Sequence, residues 1–120
     1  MANLLIHIHS GPELENKLTL GLLVAKTGVV EGHSVKLFLA ADAVHALNCR
    51  TEGEIVGQGT VDANLHLQAL AEAGVHIMVS EMSAKARGYD DSLLAGYNAS
   101  FAMPDKLIAL ALEADTVLCY

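Results

Sequence analysis

The stretch Gly74-Val75-His76-Ile77-Met78-Val79-Ser80-Glu81-Met82-Ser83-Ala84-Lys85-Ala86-Arg87-Gly88 is an apolar run that breaks at a serine and restarts as a short helix. Val75 to Val79 has the length and composition of a buried strand, and Gly74 before it stops whatever helix precedes. Ser80 suits a helix cap, with Ala84 to Ala86 predicted as a helical turn. A strand that passes straight into a helix is the unit of a parallel sheet, and the rest of the chain repeats it.

Upstream, Leu4-Leu5-Ile6-His7-Ile8-His9 predicts a first strand, closed by the turn residues Ser10-Gly11-Pro12. Leu14, Leu18, Gly21, Leu22, Ala25 and Val29 then recur at steps of three and four, which predicts a helix with one apolar stripe, ended by Gly28 and Gly32. Ser34 to Ala40 reads as a second strand with Val35, Leu37 and Leu39 on one face and Phe38 on the other. Asp42 is placed to cap a short helix, Ala43 to Leu47. Asn48 to Gly59 lacks periodicity and is expected to be a mobile loop. A helix is predicted from Thr60 to Ala73, with Val61, Leu65, Leu67, Leu70 and Ala71 in its stripe. Downstream of the central stretch, Tyr97 to Phe101 predicts a brief strand. Pro104 opens a last helix through Leu107, Leu110, Ala111 and Ala114, and Thr116 to Tyr120 closes the chain as a strand.

Strands and helices alternating over short connections predict one α/β domain, residues 1–120, built as a three-layer sandwich on a mainly parallel five-stranded sheet with right-handed crossovers. Ligands in such sheets gather at the carboxyl ends of the strands. The candidate residues there are His9, Ser10, Asp42, Ser80 to Ser83, the Ala99 to Met103 loop and Cys119.

Seven basic against fourteen acidic residues give a net charge of -7. That charge repels polyphosphate, and with 4% aromatics and no Trp there is no stacking platform, so nucleic acid is excluded as a partner. No apolar run approaches the ~20 residues of a membrane span, and two cysteines without a signal peptide fit reduced thiols in the cytoplasm. Hydrophobic residues make up 52% of the chain, an excess that predicts a buried subunit interface in addition to the core.

Several residue sets carry possible chemistry. Ser80 and Ser83 offer hydroxyls, and free amides at a helix start with Lys85 and Arg87 nearby suit an anion, although Glu81 opposes a strongly charged one. The expected ligand site is therefore His9, Ser10, Ser80, Glu81, Met82 and Ser83, holding a small polar or singly charged molecule. His7 and His9 share a strand face as two metal donors do, but no third ligand is apparent, so no metal site is assigned. Ser80, His9 and Asp42 together lie at strand ends as a serine nucleophile would require, without the Gly-x-Ser-x-Gly elbow that exposes such a hydroxyl. Cys119 stands at a strand's carboxyl end, and Cys49 lies beside Arg50, a neighbour that favours thiolate.

Taken together, Ser80-Glu81-Met82-Ser83, Ala84-Lys85-Ala86-Arg87-Gly88, Met103-Pro104 and Glu113-Ala114-Asp115 resemble the DsrE/DsrF-like family over nearly the whole chain. In the family's sulfur-relay members the central strand ends in a sulfur-carrying cysteine at the position of Ser80, and many carry a second at that of Ser83. The resemblance implies a cytoplasmic homotrimer or homohexamer that exchanges sulfur with partner proteins through a persulfide. A serine hydroxyl cannot form one. The expectation is a noncatalytic small-ligand-binding or partner subunit, acting on itself or beside a paralogous sulfur-relay protein, with no cofactor. The alternative is a sulfurtransferase that uses Cys119 or Cys49 instead.

Overall fold

The computed structural model describes all residues from Met1 to Tyr120. In chain order the elements are β1 (Asn3–Ile8), α1 (Glu15–Val30), β2 (Ser34–Leu39), a 3-10 segment (Ala41–Asn48), β3 (Val56–Gly57), β4 (Val61–Asp62), α2 (Ala63–Glu72), β5 (His76–Ser80), α3 (Glu81–Ala86), β6 (Ala99–Ala102), α4 (Pro104–Glu113) and β7 (Thr116–Cys119), with further 3-10 turns at Pro12–Leu14 and Asp91–Leu94. The main sheet has five strands in the order β6-β5-β2-β1-β7, and every neighbouring pair is parallel. The three-layer α/β sandwich expected from the alternation is the observed fold.

Strand alternation sorts side chains to two unequal cores. Ile6, Ile8, Val35, Leu37, Leu39, Ile77 and Val79 point to the face covered by α1 and α2, where the main core of 22 buried residues forms. Helix α1 lies close because two of its apolar-stripe positions lack a Cβ: one at Gly21 would stand 2.7 Å from Ile8 Cδ1, and one at Gly28 2.9 Å from Val35 Cγ2. The other face carries Leu5, Phe38 and Met78 beneath α4, which buries Leu110 against them, with Leu107, Ala111 and Ala114 alongside. Only one helix covers this second face. Ile108 and Leu112 remain 61% and 82% exposed on α4, as do Met103 and Val117 beside it.

Three expectations are corrected. Asp42 caps no helix, because the segment is a 3-10 turn that begins one residue earlier after Ala40, and the Asp42 carboxylate is drawn instead to Arg87. Residues 48–59, expected as a loop without structure, carry one strand of the antiparallel β3–β4 ribbon. They are pinned by Arg50 donating to the Ala95 and Leu93 carbonyls, Gly53 N–H donating to Asp62, and Gln58 N–H donating to Asn16. Helix α2 starts at Ala63 rather than Thr60, because Asp62 accepts from the Asn64 N–H and supplies the cap. Val61 therefore belongs to β4 rather than to the helix, Leu65 is exposed, and Ala63, Leu67 and Leu70 are the buried apolar residues of α2.

Candidate functional site

The carboxyl ends of β2 and β5 are joined by side-chain contacts between the segments that follow them. Strand β5 delivers Ser80 at its last position, and α3 begins at the next residue, so the serine closes the strand and caps the helix at once. Its Oγ accepts from Ser83 N–H at 3.2 Å. The Ser83 Oγ in turn accepts from Ala41 N–H at 2.9 Å, which holds Ala41 at φ 51, a left-handed conformation unfavourable to a residue with a Cβ. Beside it, Arg87 donates from Nε and Nη2 to Asp42 Oδ1 at 3.0 and 2.9 Å and from Nη1 to the Ser83 carbonyl at 3.1 Å. One step further out, His45 Nδ1 and the Tyr89 hydroxyl are 2.6 Å apart. Three polar contacts in a row thus fasten the 3-10 segment to α3 and the residues just after it.

Both serines are committed as acceptors, while their hydroxyl hydrogens have no acceptor within the chain. A ligand with an acceptor atom is therefore what these groups can still take. The cations expected to help are occupied: Lys85 lies 3.3 Å from Glu81, and Arg87 is held by Asp42. Among the other predicted residues, His9 is exposed, Ser10 is 6% exposed beneath it, Glu81 and Ser83 are half-buried, and Met82 is 59% exposed. None of the surface clefts is lined by these six residues, so in a single chain the rim is an open surface. The serine-nucleophile combination has no support in the hydrogen bonding, since Asp42 serves Arg87 and Ser80 serves a backbone amide.

On the α4 face, His7 is the register partner of Cys119 on one side and of Phe38 on the other. The His7 ring packs edge-on against Phe38 and His9, at centroid distances of 5.7 and 5.3 Å. Its Nε2 is buried without a partner, and burial first, then the neighbouring His9 charge, lowers its pKa, favouring neutral imidazole. His7, His9 and Cys119 do not converge as a metal-binding group.

The two cysteines differ sharply. Cys119 is exposed, whereas Cys49 is 3% exposed. Burial foremost, then hydrogen bonding to Glu54 and the charges of Glu54 and Asp62, push the Cys49 thiol up to about 11. The expected help from Arg50 fails because its guanidinium turns away to the Ala95 and Leu93 carbonyls and stacks 5.4 Å from the Tyr97 ring centroid. Sequence reading missed this partnership, and also the Asp42–Arg87 pair and the left-handed Ala41. All three join residues more than 40 positions apart or depend on backbone angle, so no local spacing announces them.

An all-parallel sheet of order β6-β5-β2-β1-β7 with a strand-to-helix turn at Ser80 defines the class as a small three-layer α/β protein. The sequence model of the DsrE/DsrF-like family matches residues 2–120, and the chain belongs to that family. It is similar in fold to the crystal structure of the ychN protein from E. coli, with a TM-score of 0.78 and 22% identity over 100% of each chain. No curated protein matches. No helix is long and apolar enough to cross a membrane.

Proposed function

We propose that this chain is a noncatalytic DsrE/DsrF-like subunit, residues 1–120 acting as one domain, that binds a small polar or singly charged ligand at the rim of His9, Ser10, Ser80, Glu81, Met82 and Ser83. The observation that carries the reading is Ser80 itself. Its hydroxyl, which the resemblance sets at the family's carrier position, caps α3 and has no acceptor for its own proton within the chain. Family membership suggests a role related to sulfur relay, and a hydroxyl there is suited to binding rather than to persulfide chemistry.

The open rim needs a second wall, and a neighbouring copy supplies it in this reading. Exposed Met103, Ile108 and Leu112 lie on or next to the thinly covered α4 side, an arrangement suited to a homotrimer or homohexamer in the cytoplasm, or to docking a paralogous sulfur-relay protein. Light scattering tests the assembly: a mass of several times 12.6 kDa is expected, and a monomer that persists on dilution refutes it.

A second reading keeps sulfur transfer and places it on Cys119. It is favoured by the exposure of that thiol, while the burial and raised pKa of Cys49 remove the other candidate. Incubation with a sulfane-sulfur donor and intact-mass measurement separates the two. A gain of one sulfur atom that disappears in Cys119→Ser supports the carrier, and no gain supports the binding subunit.

A further inference from the structure

At the opposite, amino edge of the sheet a separate cleft opens between the starts of β1 and β2 and the C-terminal end of α4. Its floor is apolar, formed by Leu5, Leu110 and Ala114, and Lys36, Ser34 and Glu113 line its sides. Each of those three polar side chains lacks a partner in the chain. The ion pairs are Lys85–Glu81 and Arg87–Asp42, which leaves both Lys36 and Glu113 unpaired although they border the same space, and the Ser34 hydroxyl makes no hydrogen bond. Lys36 is also half-buried, on the α4 face beside its register partner Leu5. The ammonium and the carboxylate border the same cleft out of ion-pair range, so a ligand bearing both opposite charges could bridge them.

We propose that this cleft binds a small amino acid in its zwitterionic form. The carboxylate accepts from the Lys36 ammonium and the Ser34 hydroxyl. The α-ammonium donates to Glu113 and lies at the negative end of α4, whose hydrogen-bond ladder closes with Ala114 N–H on the Leu110 carbonyl. A short aliphatic side chain rests on Leu5, Leu110 and Ala114. Size limits the class: the cleft volume is about 80 Å³. One water needs ~10–15 Å³ on that measure, so roughly five to eight non-hydrogen atoms fit, from glycine to valine. The site is independent of the Ser80 rim, at the other end of the strands.

The test is an amide-resolved NMR titration of the full chain with L-alanine up to about 20 mM, a millimolar affinity being what so few contacts support. Shifts confined to Asn3, Ser34, Lys36 and the Glu113–Ala114 end of α4 are expected. Acetate and ethylamine, each carrying one of the two charges, should bind at least about tenfold more weakly, and Lys36→Met and Glu113→Gln should each weaken alanine binding by a similar factor. Glu113 is exposed, so E113Q keeps the test valid even if K36M fails to fold. The proposal is overturned if alanine causes no localised shifts, if acetate binds as well as alanine, or if E113Q binds alanine unchanged.

Discussion

Replacing Ser83 with alanine removes one hydrogen bond and exposes the strain that the bond holds in check. The Ala41 N–H loses its acceptor at 2.9 Å in a partly buried setting, which places the penalty in the lower half of the ~1–3 kcal/mol range for an abandoned polar group. Alanine recovers up to about 0.5 kcal/mol as the better helix former within α3. The net expectation for S83A is a destabilisation of about 0.5–1.5 kcal/mol. Ala41→Gly is the companion, because a glycine at φ 51 avoids the ~1–2 kcal/mol that a Cβ costs there, less the extra unfolded-state freedom of glycine. A41G should therefore be neutral to stabilising, and in its background S83A should cost at least as much as in the wild type, because no strain is left for the loss of the bond to release. Urea unfolding at a fixed protomer concentration measures all four proteins, with an unchanged slope required for the comparison. The reasoning fails if S83A is neutral while A41G destabilises by more than about 1 kcal/mol, since the serine then restrains nothing.

Further outcomes follow from the same structure. Ser80→Cys should give a thiol with a pKa below ~8.5 from the start of α3, but only modestly so because Lys85 and Arg87 are already paired; an alkylation profile centred at or above 8.5 refutes an activating rim. In the native wild type, Cys119 should react promptly with a thiol reagent at pH 8, and Cys49 only on unfolding, so two fast equivalents would contradict the buried thiol. Since the Cys49 pKa is raised from 9.0 to about 11, the native state holds a proton that the unfolded chain releases. Its stabilisation, on the order of 2–3 kcal/mol, is intact below pH 9 and lost as pH rises toward 11, which alkaline denaturation of wild type against Cys49→Ala reports. His7 carries the opposite sign: its lowered pKa keeps the native ring neutral, so its contribution is complete above 6.5 and fades as pH falls below that value. A His7 proton resonance titrating at or above 6.5 refutes this.

The alternation of apolar runs made the architecture legible, and the periodicity of α1 and α4 identified the faces they bury. What stayed hidden has a common cause. The β3–β4 ribbon has two-residue strands, too short for any period to emerge, and the start of α2 is set by the Asp62 cap, which the helical pattern from Thr60 did not reveal. The strand ends that border the rim were visible in sequence, Ser80 closing β5 among them. The state of its serines was not, because the Ser83–Ala41 bond joins residues 42 positions apart. The Arg50 side chain gives the plainest lesson: adjacency to Cys49 suggested thiolate chemistry, and three-dimensional packing sent the charge elsewhere.

The sheet order sets a timetable for folding. β1, synthesised first, is sandwiched between β2 and β7, and its two ends are tied to the chain's last residues through Asp115 N–H to the Asn3 carbonyl and His9 N–H to the Tyr120 carbonyl. Until β7 is available, one side of β1 presents unpaired backbone groups, a template for pairing with other strands. Contacts closing more than 100 residues of chain are slow to form. Loss of the final few residues would therefore leave a hydrophobic strand next to the middle of the sheet with an open edge, turning a small truncation into an aggregation hazard.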